Sequence, residues 1–307
     1  MRLKTIHYLN NLYFPLFNQK MLALIDKTDD EKIYDLLIWK RRSSMMINQN
    51  EENVEIIKIP FYTQNGKEPE YIVAKLFRSK IPLPNNPIVI FGHGNGENLD
   101  DYIEYHSTFC QHGISFCTFD YRGYGYSDGS YGTCSANERD DLIFVIKYLK
   151  NNGFEKVSYF GRSTGATCGI FAASEFPDIV CLALDSPWLS TKEWVEYRAN
   201  DLYQISKEKF DELIPTVFNE VKEKTGINFN DLKEPREAAK YIKQPIFIIH
   251  GKIDSIVPFS NSEELFEIVK SEVKTFKSFN GDHNDFIRYN YYNDMFKFIL
   301  RHNGVKI

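Results

Sequence analysis

Val157-Ser158-Tyr159-Phe160, then Gly161-Arg162-Ser163-Thr164-Gly165, then Ala166 to Glu175 runs from an apolar strand-like segment through G-x-S-x-G into a helical segment. A serine on so sharp a strand-to-helix turn has its Oγ pushed out of the sheet, and flanking glycines relieve the crowding. The pentapeptide alone is weak, because short glycine patterns occur by chance. Its setting marks Ser163 as a candidate nucleophile. The competing reading is a glycine-rich turn with an idle serine.

A serine hydroxyl attacks poorly until a neighbour removes its proton. In a strand–turn–helix setting the partners follow in the order Ser, Asp or Glu, His. Downstream, an apolar run from Ile246 to Ile249 leads into His250-Gly251-Lys252-Ile253-Asp254-Ser255-Ile256-Val257-Pro258, which suits a carboxylate on a short loop. Val273 to Phe279 reads as a last strand, followed by Asn280-Gly281-Asp282-His283-Asn284. Ser163, Asp254 and His283 thus each fall just past a strand's C-terminal end, where open α/β sheets place their sites. His283 is expected to take the Ser163 proton, and Asp254 to hold the imidazole tautomer. Asp185, which ends the strand after the nucleophile helix, is the alternative acid. Asp282 and Asp285 are too close in sequence to the histidine to face its ring. His93, His106 and His112 precede the serine and do not fit the order.

Acyl transfer also needs N–H donors for an oxyanion. Thr164, directly after the nucleophile, is one expected donor, and the other comes from the loop after the third strand. That loop reads Phe91-Gly92-His93-Gly94-Asn95-Gly96-Glu97-Asn98; Asn95 is the expected donor, with Gly96 as the alternative. A dinucleotide fingerprint fails here, since its third glycine would fall on Glu97. The next front loop, Phe119 to Gly129, reads as a tight turn with Arg122 in ion pairs rather than as a phosphate site.

These motifs, together with Asp120-Tyr121-Arg122-Gly123-Tyr124-Gly125-Tyr126-Ser127 and Leu184-Asp185-Ser186-Pro187, resemble the alpha/beta-hydrolase superfamily, in particular eukaryotic hydrolases of the alpha/beta-hydrolase-domain type. That group includes membrane-associated acyl-protein thioesterases and lipases. The resemblance spans roughly residues 54–303. It implies serine hydrolase activity with Ser163, Asp254 and His283 as the triad, and no cofactor. Thr164 departs from the Met or Ile that many relatives carry after the serine.

The fold class expected is α/β: a mostly parallel sheet covered by helices on both faces, with a helical lid. Val54 to Gln64 and Tyr71 to Arg78 read as a hairpin around the Gln64-Asn65-Gly66-Lys67 turn. Helices are expected at 99–112, 135–151, 164–176, 260–271 and 285–302. Residues 1–53 form an N-terminal extension and 54–303 the main domain. Within it, the aromatic-rich stretch 187–243 interrupts the alternation and reads as the lid.

At 307 residues with net charge −5, the chain has neither a basic stripe nor the charge for nonspecific nucleic-acid binding. No metal-ligand cluster is visible. Five cysteines without a C-x-x-C pair point to a reducing intracellular compartment, cytoplasmic first, with membrane-associated or mitochondrial placement as alternatives. Residues 1–25 carry Arg2, Lys4 and Lys20 with no acid before Asp26, which suits a packed extension, a transit peptide, an interfacial segment or a partner-docking segment. The expected substrate is a small-molecule or lipid acyl ester or thioester, or an acylated protein. A peptidase and a structural subunit of a larger assembly are the alternatives.

Overall fold

The computed structural model describes residues 27–40, 54–62 and 68–307. The expectations for residues 1–25 and for the Gln64–Lys67 turn lie outside them. β1 (Trp39–Lys40) pairs antiparallel with β6 (Tyr131–Gly132) in a short ribbon. The main sheet is built from β2 (Val54–Phe61), β3 (Glu70–Phe77), β4 (Ile88–Gly92), β5 (Ser115–Phe119), β7 (Val157–Arg162), β8 (Leu182–Asp185), β9 (Ile246–Gly251) and β10 (Lys274–Phe279). Its order is β10-β9-β8-β7-β4-β5-β3-β2. β3 runs antiparallel to both neighbours, and the remaining pairs are parallel.

The inner strands β4, β5, β7, β8 and β9 are buried along their whole length. A parallel sheet covered on both faces needs such continuous apolar runs. Period-two alternation divides β4 between two cores. Ile88 and Ile90 pack on one side with Leu142, Val145 and Ala166; Val89 and Phe91 pack on the other with Phe109, Met295 and Ile299. Edge strand β2 instead alternates buried with exposed residues over its C-terminal half. Parallel register aligns Gly92 with Gly161, Arg162 with Asp185, and Gly251 with Phe279, so the connecting loops leave one common edge.

The described helices are α1 (Asp29–Leu37), α2 (His106–Cys110), α3 (Glu138–Asn151), α4 (Thr164–Glu175), α5 (Thr191–Tyr203), α6 (Lys207–Thr225), α7 (Pro235–Ala239), α8 (Ser260–Ile268) and α9 (Tyr289–His302). The helix expected from residue 99 is shortened to a 3₁₀ turn at Ile103–Tyr105 and then α2. Side-chain oxygens of Asn98, Asp101 and Asp120 capture the N–H groups of Asp100, Asn98 and Leu99. Such local bonds offer the backbone an alternative to helix.

The chain divides into two units. The larger comprises Ile38–Trp194 and Asp231–Ile307; the smaller comprises, among the described residues, 27–37 and Val195–Asn230. The stretch expected as a lid is therefore shared between units. Within the smaller one, α1 packs on α6, Ser206 caps α6 by accepting the Lys209 N–H, and left-handed Gly226 ends it. Phe218 stacks on Phe229 at 5.4 Å. Among the described residues no helix is long and apolar enough to cross a membrane.

Candidate active site

Ser163 sits between β7 and α4 with φ 52° and ψ −116°, a backbone conformation that L-residues rarely adopt. The surrounding packing holds it there. Its N–H donates to Asp185 O at 2.7 Å, and its C=O accepts the Thr167 N–H at 3.0 Å. The glycines on either side are demanded by close approach. A Cβ on Gly161 would lie 2.6 Å from the Gly165 backbone, and one on Gly165 would overlap Gly92 O and crowd His93 O. The Ser163 turn is therefore pressed directly against the end of β4 and the start of the loop after it.

The structure brings Ser163, His283 and Asp254 together. His283 Nε2 is 3.1 Å from Ser163 Oγ, and its Nδ1 is 2.7 Å from Asp254 Oδ2. A carboxylate only accepts, so Nδ1–H donates to Asp254 and Nε2 is left to accept from the serine hydroxyl. All three residues are buried. Asp254 Oδ1 accepts the N–H groups of Ile256 at 2.9 Å and Val257 at 2.7 Å, which fixes the carboxylate within its own loop. Asp282 joins the two loops by accepting the Ser255 N–H at 2.7 Å and the His283 N–H at 2.6 Å.

The alternative acid has other partners. Asp185 Oδ2 accepts the Tyr292 hydroxyl at 2.7 Å, and Oδ1 accepts that of Ser186 at 2.9 Å. Burial works against ionisation of Asp254, yet hydrogen bonds from His250 and His283 outweigh it and hold the carboxyl well below the usual range. Burial pushes the His283 pKa down, and Asp254 opposes this only in part. The imidazole is thus kept neutral near pH 7.

Thr164 is the first residue of α4, so its N–H has no intrahelical acceptor, and the positive end of the helix dipole points the same way. Asn95 lies exposed in the loop after β4, beside Gly94, whose N–H is held by Glu97 Oε2 at 2.6 Å. The front loop after β5 holds the expected ion pair, with Arg122 Nε donating to Asp141 Oδ1 at 2.6 Å.

Two participants escaped sequence reasoning. His250 is fully buried. Its Nε2 faces Asp254 Oδ2 at 3.1 Å and Val257 O at 3.0 Å, and its Nδ1 is 2.7 Å from Ser262 Oγ. With two acceptors before it, Nε2 carries the proton, and Asp254 receives N–H groups from two imidazoles. Its position at the end of a strand, four residues before the acid, was the available signal. Arg162, inside the pentapeptide itself, is buried and bonded to the loops after β4 and β10. Among the described residues no group of three or more His, Cys, Asp or Glu is placed to hold a metal ion.

A family described as serine aminopeptidase, S33, matches residues 84–232. The YqkD protein of Bacillus subtilis is 26% identical over 199 residues, 64% of this chain and 64% of that protein. The lysophosphatidylserine lipase ABHD12 of Danio rerio is 24% identical over 214 residues, 66% of this chain and 51% of that protein. The chain therefore spans about half to just under two thirds of these relatives. Among solved structures, the Pyrococcus furiosus esterase Pf2001 superposes with a TM-score of 0.63 at 20% identity, over 85% of this chain and 97% of that one. A monoacylglycerol lipase of Paleococcus ferrophilus does so with a TM-score of 0.54 at 21% identity, over 76% and 99%.

Proposed function

The chain belongs to the alpha/beta-hydrolase superfamily, and from that premise we propose that it is a serine hydrolase cleaving carboxylic esters or thioesters of hydrophobic acyl groups. The observation that carries this is the unbroken hydrogen-bonded line from Ser163 Oγ through His283 to Asp254. The names of the lipase relative and of the esterase neighbour support an ester or lipid substrate.

In the proposed mechanism Ser163 Oγ attacks the acyl carbon while His283 Nε2 takes its proton. The carbonyl electrons move onto oxygen, where the N–H groups of Thr164 and Asn95 receive them. Collapse breaks the bond to the alcohol or thiol, which leaves with the proton from His283. Water then adds to the acyl-enzyme with His283 again as base, releasing the acid and restoring Ser163. Asp254 stays ionised and stabilises the imidazolium in both halves. Trp188 and Trp194, in the part of the expected lid that belongs to the larger unit, enter this proposal as the source of acyl-length preference. Trp188 and Trp194 stack at 4.9 Å, and Trp194 Nε1 donates to Ile256 O at 3.0 Å, on the loop of the acid.

The test is turnover of p-nitrophenyl esters and acyl thioesters of increasing length, with fluorophosphonate labelling alongside. Ser163→Ala is expected to lower kcat by about 10⁴- to 10⁶-fold and to abolish labelling. Folded wild-type protein that neither labels nor turns over any ester would refute the proposal. A second reading, peptide cleavage, rests on the description of the matching family; aminoacyl amides in the same screen decide between them.

A further inference from the structure

Arg162 ends β7 one residue before the nucleophile, and its side chain is 4% exposed. An unpartnered guanidinium at such depth would be costly, and even a paired one is seldom a net gain over an apolar residue of similar size. Its partners are therefore informative. Nη1 donates to Glu97 Oε1, on the loop after β4. Nη2 donates to His283 O at 3.0 Å and to Asn284 Oδ1 at 2.7 Å, on the loop after β10. Glu97 is tied in turn to its own loop, because its Oε2 accepts the Gly94 N–H at 2.6 Å and its Oε1 the Tyr102 hydroxyl at 2.8 Å. A Cβ on Gly94 would lie 2.8 Å from Glu97 Oε2 and 3.2 Å from Arg162 Nη1, so the backbone next to Asn95 is packed onto the ion pair itself.

We infer that Arg162 is a positioning residue, whose guanidinium clamps the loop carrying the Asn95 donor to the loop carrying His283. This rests on the hydrolase reading and names a device within that site. The clamp runs from the Gly94 N–H through Glu97 and Arg162 to the carbonyl of His283. The imidazole and one oxyanion donor come from loops on opposite sides of β7, with β8 and β9 between β7 and β10, and β4 adjacent. β4 and β10 are not neighbours in the sheet, so no strand-to-strand pairing joins those two loops directly. A planar fork that bonds both at once does so, and the compact ammonium of lysine reproduces the charge without the fork. Both Nη groups are engaged and Nε lies 3.8 Å from Asp185 Oδ2, so Arg162 is a tie between loops and not a receptor for an anionic substrate.

The test compares Arg162→Met, Arg162→Lys and Glu97→Gln with wild type, each checked for native near-ultraviolet dichroism. Two quantities are read: kcat and KM for a short p-nitrophenyl ester, and the downfield Nδ1–H proton resonance of His283, assigned by its absence from His283→Gln. Folded Arg162→Met is expected to lose about 10²-fold in kcat with KM within about threefold, and its His283 resonance to broaden or shift. Arg162→Lys is expected to recover about tenfold of that loss, and Glu97→Gln to lose about tenfold. Wild-type kcat together with an unchanged resonance in folded Arg162→Met would overturn the clamp. Should that variant fail to fold, the same result in Glu97→Gln overturns it. If wild type shows no Ser163-dependent turnover, the hydrolase reading fails by itself, and the resonance alone decides whether Arg162 holds the imidazole.

Discussion

At the scale of single residues, the site is governed by which groups keep or lose their protons. In the proposed reaction His283 must be neutral to act as a base, and burial lowers its pKa from the ordinary 6.5. The acidic limb of kcat/KM is therefore expected below pH 6.5, with activity falling only as the pH drops through the depressed value. A pH–rate profile checks this, and an acidic limb above 6.5 would contradict it. Stability follows the same sign: below pH 6.5 the unfolded chain binds a proton that the folded chain resists, so protonation favours unfolding there. Asp254 acts in a lower window. Its stabilisation is present above the ordinary 3.8 and is lost as the pH falls toward its depressed folded value. The grouping of Ser163, Asp254 and His283 was legible as residue type and chain order. His250 was not, because a histidine closing an apolar strand reads equally well as core. Its partnership with Asp254 depends on the acid loop folding back over that strand end.

At the scale of elements, the decisive feature is the meeting of β4, β7 and α4. Gly165 belongs to the first turn of α4, yet its constraint comes from Gly92, which ends β4, and His93, which follows it. Gly165→Ala would be favoured by helix propensity and is nevertheless expected to destabilise the protein, by about 2 kcal/mol or more, because the new methyl overlaps backbone that cannot yield. Thermal melts check this, and a rise in Tm would contradict it. The pattern G-x-S-x-G announced that crowding from sequence. The shortening of the helix expected at 99–112 was less visible. Asn98, Asp100 and Asp101 look helix-compatible, and only the arrival of Asp120 from the loop after β5 shows that the Leu99 N–H is already taken.

At the scale of the whole molecule, buried acids shape stability. Burial raises the Glu138 carboxyl to about 7 against hydrogen bonds from Thr133 that favour its ionised form, and burial raises Asp120 to about 7 as well. Their folded pKa values exceed the unfolded ones of 4.5 and 3.8. The stability they confer is therefore full below those values and is lost as the pH rises to about 7. Glu138→Gln keeps the shape and an acceptor for the Thr133 N–H while removing the charge. Relative to wild type, its Tm is expected to rise steadily from about pH 5 to pH 7 and then level off. A difference independent of pH would contradict the assignment.

The sequence by itself determined the alternation of strand and helix, the strand-to-helix turn that presents Ser163, and the chain order of Ser163, Asp254 and His283, because these are written in local periodicity and in residues of special backbone freedom. Only the tertiary structure decided which acid faces His283, placed His250 behind it, and made Arg162 a bridge between two loops. Those relations join positions far apart in the chain. They are set by the parallel register of β4, β7, β8, β9 and β10, which brings their C-terminal ends to one edge and leaves the buried charges there to find partners across it.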